Sequence, residues 1–264
     1  MSDGSRDEFH VAAGFQPLVR MIGLDAEAVF DHPDIRVWRS IADRENCTLD
    51  ASVDGRAVRW HVKRYTAVRG RGQTPAEREV MGVRLLQEAG IPTVPLVAWG
   101  VLRDRRSFVI VDDLAGYRPG DKLLETGGGT FDELLGPTAD LAARLHGVGL
   151  HHRDLYLCHF FVPRGEGSAE PLRLIDCARV KRLPRLLTRY RWVVKDISQF
   201  WYSTLKHPEI TDEQREAWLR RYADKTGADA GRLRRAVLRK VAWIGRHDAR
   251  LNRAQPNRNI SIPR

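Results

Sequence analysis

The chain has 264 residues, of which 42% are hydrophobic and 30% charged, so it can bury a large core and resembles an ordinary globular enzyme in composition. Its net charge of +10 points to an anionic partner, whether phosphate, nucleic acid or an acidic membrane surface. Three cysteines without metal-ligand spacing exclude a disulfide framework and a zinc site and fit a reducing cytoplasm. The acidic N-terminus and the lack of a long apolar run predict neither a signal peptide nor a membrane span.

The first part of the chain predicts a short helix followed by strands. Apolar residues near helical spacing place the helix over residues 16–31, and the period then changes to that of a strand. Asp54-Gly55 is a hairpin signal that joins two of the strands. In the second of these, Lys63 alternates with Trp60, so its ammonium is expected on the face opposite the apolar one. The predicted strands cover residues 35–38, 47–53 and 58–65.

A helix with a strong start signal follows. Thr74 is a predicted N-cap, and Pro75 is placed at the first helical position. The helix is predicted to run to about residue 89, with Gly90 as its stop and with three apolar residues inward: Met81, Leu85 and Leu86. Glu79 lies within it and is predicted to pair with Lys63. The alternative is an acid on the helix surface that pairs with a nearby arginine.

Next come a predicted strand pair, over residues 94–100 and 106–111, and the sequence Asp112-Asp113-Leu114. A loop rich in Gly and Pro follows, as expected where a small β lobe passes into a helical one. We therefore predict two parts, residues 1–114 and 115–264. Backbone groups of Asp112 and Leu114 are candidates for holding an adenine ring.

The second part is predicted to be mainly helical. Thr130 is a predicted cap, and Pro137 is predicted to open a helix with three apolar residues facing the core: Leu141, Leu145 and Val148. Further helices are predicted over residues 192–205, 211–226 and 230–251. Basic residues are concentrated after residue 181, in a loop over residues 181–191, on the last helix and in a tail over residues 255–264.

Between these helices, residues 149–162 read as an apolar strand with a charged tip, and residues 172–175 as a second strand that ends in a carboxylate. His152-Arg153-Asp154 matches the start of the protein-kinase catalytic loop, H-R-D-L-x-x-x-N, in which the Asp receives the hydroxyl proton of the substrate. The position of the metal-binding Asn is occupied by His159. Asp176 stands where kinases keep an aspartate that binds Mg²⁺, although Cys-Ala replaces the usual Phe-Gly.

These segments, together with Lys195-Asp196-Ile197-Ser198-Gln199, resemble the lipopolysaccharide core heptose kinases, the WaaP-like branch of the lipopolysaccharide kinases. The resemblance extends from about residue 29 to residue 205. It implies an α+β, bilobal, protein-kinase-like fold, with a small N-terminal β lobe that contains one main helix and a larger helical C-terminal lobe. It also implies ATP-dependent phosphorylation of a sugar hydroxyl of the lipopolysaccharide inner core at the cytoplasmic face of the inner membrane.

The resemblance also implies roles for single residues. Lys63 would grip the α- and β-phosphates of ATP and Glu79 would orient Lys63. Asp154 would be the base, within the motif that His152 and Arg153 begin. His159 and Asp176 would hold Mg²⁺, and Asp196 would brace the catalytic loop.

Two expectations stay open at this stage. Residues 40–46 contain no glycine, whereas a protein kinase carries G-x-G-x-x-G there, so the nucleotide flap is unorthodox. Magnesium prefers oxygen ligands, so His159 is equally well interpreted as a buried structural imidazole, as acting through water, or as orienting Asp154.

Other functions compete with this one. The same fold is expected of a kinase for another small molecule or a protein, and of a nucleotide-binding pseudokinase scaffold. The acceptor is predicted to be lipopolysaccharide core or a related anionic glycan, and the basic C-terminal half predicts peripheral contact with an anionic inner membrane. No nucleic-acid partner is expected, since no recognition motif accompanies the charge.

Overall fold

The computed structural model describes residues 7–41, 43–66, 72–164, 170–185 and 188–254. Residues 186–187 of the predicted basic loop and the predicted basic tail lie outside these ranges. The chain divides into two compact units. One contains the described residues up to Val83 together with Val94–Asp113, and the other contains Arg84–Thr93 and the described residues from Leu114 onward. The predicted α+β class is confirmed.

The first unit is built on a six-stranded antiparallel sheet with the strand order β1-β5-β6-β4-β3-β2. The hairpin between β3 and β4 is confirmed, because the positive φ of Asp54 and Gly55 gives the tight turn that two-residue hairpins prefer. The strands are β1 (Glu8–Val11), β2 (Ile35–Ile41), β3 (Arg44–Val53), β4 (Arg56–Tyr65), β5 (Leu96–Val101) and β6 (Ser107–Asp112).

One face of this sheet carries the apolar core of the unit. Trp60 and Val62 of β4 are buried there and Val58 packs against them, so the predicted alternation along this strand is confirmed. The helical segment before the sheet differs from the prediction of a single helix. Gly23, at φ 79°, ends α1 (Gln16–Ile22) in a left-handed cap, and a separate short helix, α2 (Ala28–Asp31), follows.

Helix α3 (Pro75–Glu88) begins as predicted, because Thr74 and Glu77 form a reciprocal cap between side chains and backbone amides. Its inward face is different from the predicted one. Met81, predicted to face inward, is 47% exposed, and Leu85 is half-buried. The buried apolar side chains are Ala76, Val80, Val83 and Leu86.

The second unit is mainly helical. Thr130 caps α5 as predicted, but the helix begins six residues before Pro137, which lies inside it. The reciprocal cap of Thr130 with Glu133 is the stronger start signal. Val148, predicted to face the core, is 43% exposed. The helices are α4 (Gly120–Glu125), α5 (Phe131–Gly147), α6 (Arg189–Thr204), α7 (Asp212–Thr226) and α8 (Ala230–Ala254).

The core of this unit is aromatic. Phe200 of α6 stacks on Trp218 of α7, with ring centroids 4.3 Å apart, and the indole N–H of Trp218 donates to Thr138 of α5 at 2.9 Å. This fixes α6 against α5 and α7. Within the described ranges, no helix is both long and apolar enough to cross a membrane.

Of the two strands predicted between α5 and α6, the second is confirmed at Arg173–Leu174, which pairs with Phe160–Phe161. The first is interrupted. This segment contributes to two small sheets that leave the motif residues on irregular backbone, where Arg153 has a φ of 72°. A 3₁₀ turn, Leu157–His159, separates the motif from the next strand. The strands are β7 (Tyr117–Pro119), β8 (Leu150–His151), β9 (Phe160–Pro163), β10 (Arg173–Leu174) and β11 (Lys181–Arg182).

Candidate active site

In the sheet unit, Lys63 of β4 and Glu79 of α3 form the predicted pair, with Nζ 2.6 Å from Oε1. The second carboxylate oxygen of Glu79 accepts a hydrogen bond from the Tyr65 hydroxyl at 2.9 Å. Glu79 is only 4% exposed, so both of its oxygens depend on these partners for the hydrogen bonds that water no longer supplies. Glu79 therefore holds the ammonium of Lys63 in one place.

Tyr65 belongs to this group but was missed by the sequence analysis. It lies two residues after Lys63 on β4 and therefore on the same face of the strand, and this spacing was the available signal. Burial, and then the charge of Glu79, raises the pKa of Tyr65, so the hydroxyl stays a neutral donor.

At the end of β6, the amide of Asp112 donates to the carbonyl of Pro95 and the amide of Asp113 to that of Arg59. The Asp113 carboxylate contacts His61 at 2.8 Å, and burial raises the pKa of Asp112. Because these two amides already donate hydrogen bonds within the sheet unit, they are excluded as donors to adenine. In the second unit, Leu114 is 9% exposed and its carbonyl accepts from the amide of Tyr117.

In the second unit, the motif backbone is held by Asp196 of α6. Its carboxylate is fully buried and accepts the amides of His152 at 2.6 Å and Arg153 at 2.8 Å. His146 is a third partner at 3.3 Å. Burial acts to raise the pKa of Asp196, but these donors lower it below its usual value. Asp196 is thus held in its ionised form, and its carboxylate fixes the left-handed backbone at Arg153.

His152 is also fully buried and links two parts of the site. Its Nε2 lies 3.0 Å from the carbonyl of Ile175, the residue before Asp176. Since a carbonyl only accepts, Nε2 carries the hydrogen. Burial lowers the pKa of His152, which keeps the ring neutral. The motif and the residues that lead to Asp176 are therefore held together by one buried imidazole.

The Asp154 carboxylate lies at the tip of the motif. Its Oδ1 accepts from Arg179 at 3.0 Å and from the side-chain amide of Gln199 at 3.4 Å. The same amide of Gln199 donates to the Tyr156 hydroxyl at 3.1 Å. Arg179, Gln199 and Tyr156 were not singled out from the sequence, because the side chains that surround Asp154 are 2 to 45 positions away along the chain.

Behind the motif, α6 also supplies Trp192 and Lys195. The guanidinium of Arg153 lies 4.5 Å from the centre of the Trp192 ring, a cation–π contact. Lys195 donates to the carbonyl of Arg153 at 2.5 Å. Burial, and then the charge of Arg179, lowers the pKa of Lys195 to about 8.

His159 lies between Asp154 and Asp176. Its Nδ1 is 2.6 Å from the carbonyl of Asp154, so that nitrogen carries a hydrogen, and its Nε2 is 3.7 Å from the Asp176 carboxylate. Burial opposes protonation, but contact with Cys158 and the charge of Asp176 raise the pKa of His159 to about 9. The raised pKa favours the protonated ring, which lies opposite the carboxylate of Asp176.

This geometry bears on the predicted magnesium site. The hydrogen bond from Nδ1 to the Asp154 carbonyl fits an orienting role for His159. It also turns Nε2 toward Asp176, as in metal-ligating histidines whose other ring nitrogen donates to a carbonyl, so both predicted roles of His159 stay predictions. The carboxylate of Asp176 has the hard oxygens that Mg²⁺ prefers, and its side chain is 34% exposed. Among the residues that the structure describes, no group of three or more His, Cys, Asp or Glu is placed to hold a metal ion.

The structure contains a buried lysine–glutamate pair and an HRD aspartate whose preceding backbone amides are bound by the carboxylate of Asp196. This combination is typical of protein-kinase-like phosphotransferases. Comparison with protein families narrows this class. Residues 25–222 match the model of the lipopolysaccharide kinase (Kdo/WaaP) family. Because this match covers most of the chain, the chain belongs to that family, and it is a kinase.

Curated relatives agree with this assignment. The chain is 28% identical over 201 residues to the lipopolysaccharide core heptose(I) kinase WaaP of Pseudomonas aeruginosa, which covers 64% of this chain and 70% of that protein. It is 24% identical over 226 residues to the lipopolysaccharide core heptose(I) kinase WaaP of Escherichia coli strain K12, covering 74% and 80%. The sequence-based resemblance to this family is confirmed.

Proposed function

We propose that this kinase transfers the γ-phosphoryl group of ATP to a hydroxyl of a heptose in the lipopolysaccharide inner core. The acceptor is inferred from the relatives, which are lipopolysaccharide core heptose(I) kinases. The observation that best supports this reaction is the anchoring of the motif: Asp196 accepts the amides of His152 and Arg153 and so fixes the position of Asp154. We further propose that the two parts, residues 1–114 and 115–264, are the lobes of a kinase-like fold.

Asp154 acts as the proton acceptor in this proposal. Arg179 and Gln199 both contact Oδ1, so Oδ2 is the oxygen that we assign to the acceptor hydroxyl. As the sugar oxygen forms its bond to the γ-phosphorus, its proton passes to Asp154 and the bond from the γ-phosphorus to the bridging oxygen of ADP breaks. Positioning and charge neutralisation supply most of the catalysis in such a reaction.

The nucleotide side of the proposal rests on Lys63 and Asp176. Lys63, held by Glu79, would contact the α- and β-phosphates, and Asp176 would hold Mg²⁺, which when bound would neutralise phosphate charge. His159 orients Asp154 through its carbonyl, and its Nε2, which lies beside Asp176, would contact the metal directly or through water. Adenine contacts come from backbone groups near Leu114.

The acceptor is tested with delipidated core oligosaccharides that differ only in whether they contain heptose. The chain is incubated with ATP and Mg²⁺, and each oligosaccharide is analysed by mass spectrometry. We expect one phosphoryl group on the heptose-containing oligosaccharide and none on the other. Equal phosphorylation of both would assign the chain to another sugar. ATP consumption without transfer to either would contradict the proposal.

A further inference from the structure

Helix α8 carries a continuous basic surface that the phosphoryl-transfer reaction does not use. Of its 25 residues, eight are Arg or Lys and one, Asp248, is acidic. The Asp248 carboxylate is occupied by the Tyr202 hydroxyl of α6 at 2.9 Å. The net charge of this helix is therefore strongly positive.

Six of the arginines share one stripe. At about 100° per residue, their positions around the helix fall within roughly 60° of each other, and all six are exposed. The four buried residues of the helix lie on the opposite side, where α8 packs in the core. The stripe is about 32 Å long at 1.5 Å per residue. We call it the basic stripe, and it consists of Arg232, Arg235, Arg239, Arg246, Arg250 and Arg253.

The basic stripe differs from several other arginines of this unit. Arg215, Arg221 and Arg234 each pair with a carboxylate. Within the described ranges, none of the six stripe residues forms an ion pair. The six arginines therefore form a row whose charge no carboxylate in the described ranges neutralises, and this row presents concentrated charge to an anion.

An exposed tryptophan lies in the same stripe. Trp243, eleven residues after Arg232, falls within about 20° of it around the helix and is 49% exposed. Lys240 places its ammonium 3.6 Å from the centre of the indole ring, and His247 stacks on the ring at 5.2 Å. Tyr190 of α6, which is 39% exposed, lies beside Arg232. Aromatic rings flanked by cations are typical of protein surfaces at the level of lipid headgroups.

We propose that the basic stripe and Trp243 dock this kinase on an anionic phospholipid surface. The stripe is a row about 32 Å long on a single helix, which matches a plane of phosphates better than it matches one small glycan. Nucleic acid fits less well, because His247 and Lys240 already contact the indole ring that a base would need for stacking. This surface lies outside the residues assigned to phosphoryl transfer.

The test measures co-sedimentation of the full chain with vesicles of phosphatidylglycerol and phosphatidylcholine, and with vesicles of phosphatidylcholine alone. We expect binding to the anionic vesicles only, and a loss of that binding as salt rises, since screening shortens the reach of the charges. The double variant Arg239→Glu/Arg246→Glu is expected to bind at least about tenfold more weakly, because each basic residue near the surface contributes about fivefold.

A control removes the same charge elsewhere in this unit. Arg220→Glu/Lys225→Glu changes two exposed residues of α7 and is expected to bind about as well as the unaltered chain. Trp243→Ala is expected to weaken binding several-fold at both low and high salt, since the contribution of the indole ring is not screened. Thermal melting of each variant shows whether it is folded.

Three results would overturn the proposal: equal binding to neutral and anionic vesicles, equal losses in the two double variants, or a stripe variant that loses affinity for a single-stranded oligonucleotide but not for vesicles. The outcome is separable from that of the proposed reaction. Arg239→Glu/Arg246→Glu should phosphorylate a delipidated oligosaccharide at the unaltered rate, and failure of phosphorylation would leave vesicle binding intact.

Discussion

In the sheet unit, Lys63 lies on a regular strand and Glu79 on a regular helix. The carboxylate of Glu79 contacts two donors, Lys63 and Tyr65. In the second unit, Asp154 follows a left-handed arginine on irregular backbone, and buried groups from α5 and α6 hold that backbone. The first region is thus specified by local periodicity, and the second by tertiary contacts. The two regions should respond to mutation differently.

The largest effect is expected from Asp196→Ala. The variant leaves the buried amides of His152 and Arg153 without an acceptor, which should reduce the free energy of unfolding by about 3–5 kcal/mol. Phosphoryl transfer should be lost as well. Urea denaturation and turnover measure the two effects. The control is Asp196→Asn, which keeps one carbonyl acceptor and should cost less. An unchanged stability in Asp196→Ala would show that the motif does not depend on this carboxylate.

Glu79→Gln is expected to act on function more than on stability. It keeps the shape of the side chain but removes the charge beside Lys63, so kcat/KM for ATP should fall by about 30–150-fold, the equivalent of about 2–3 kcal/mol. Tyr65→Phe removes only a neutral hydrogen bond to the same carboxylate and serves as the matched control, with an expected loss of about fivefold. Equal losses would mean that the charge of Glu79 is not what positions Lys63.

Asp176→Asn tests the metal assignment. The variant should weaken binding of Mg-ATP by roughly tenfold or more while leaving the affinity for metal-free ATP nearly unchanged, because the carboxylate is proposed to contact the cation. Titration of nucleotide with and without Mg²⁺ gives both values. Equal losses in the two titrations would assign Asp176 to the nucleotide or to the fold instead.

The smallest effect concerns pH and the buried His151. Burial lowers the pKa of His151 to about 4 from an ordinary value of 6.5. Between pH 4 and pH 6.5, the unfolded chain therefore binds a proton at His151 that the folded chain does not bind. The contribution of the neutral ring to stability is fully present above pH 6.5 and is lost as the pH falls toward 4. The substitution His151→Phe removes this group, so the decrease in the free energy of unfolding on acidification should be smaller by about 1–2 kcal/mol. Urea midpoints at pH 7.5 and 4.5 measure the difference, and an identical acid loss in the variant would contradict it.

The same contrast explains how far the sequence could be interpreted. The hairpin at Asp54-Gly55, the cap at Thr74 and the cap of α7 at Thr211 were predictable, because each depends on residues within a few positions. The Lys63–Glu79 pair was predictable from a strand and a helix. Tyr65 was missed, although the two-residue period of the strand placed it beside Lys63.

Other errors have local causes. Gly23 ends α1 in a left-handed conformation that the helical spacing of apolar residues did not reveal. Pro137 is a start signal in isolation but was outweighed by the capping box at Thr130. Met81 was assigned inward, although the buried face of α3 runs through Val80, one position before it, and Val83, two positions after it.

The conformation around Asp154 could not be derived from local sequence. The motif was recognised as a string, but its left-handed Arg153 is stabilised by Asp196, 43 positions later, and its aspartate by Arg179 and Gln199. A local pattern favoured a strand there, because the residues around the motif are apolar and β-forming. Tertiary hydrogen bonds outweigh that propensity.

The role of Asp154 as proton acceptor is the central claim, and one measurement tests it most directly. The chain and its Asp154→Asn variant are each given Mg-ATP and a heptose-containing core oligosaccharide, and the product is followed by mass spectrometry while nucleotide binding is measured separately. We expect phosphorylation by the unaltered chain, a rate about 10²–10⁴-fold lower for the variant, and equal nucleotide affinity for both. A variant that transfers phosphate at the unaltered rate would contradict the account.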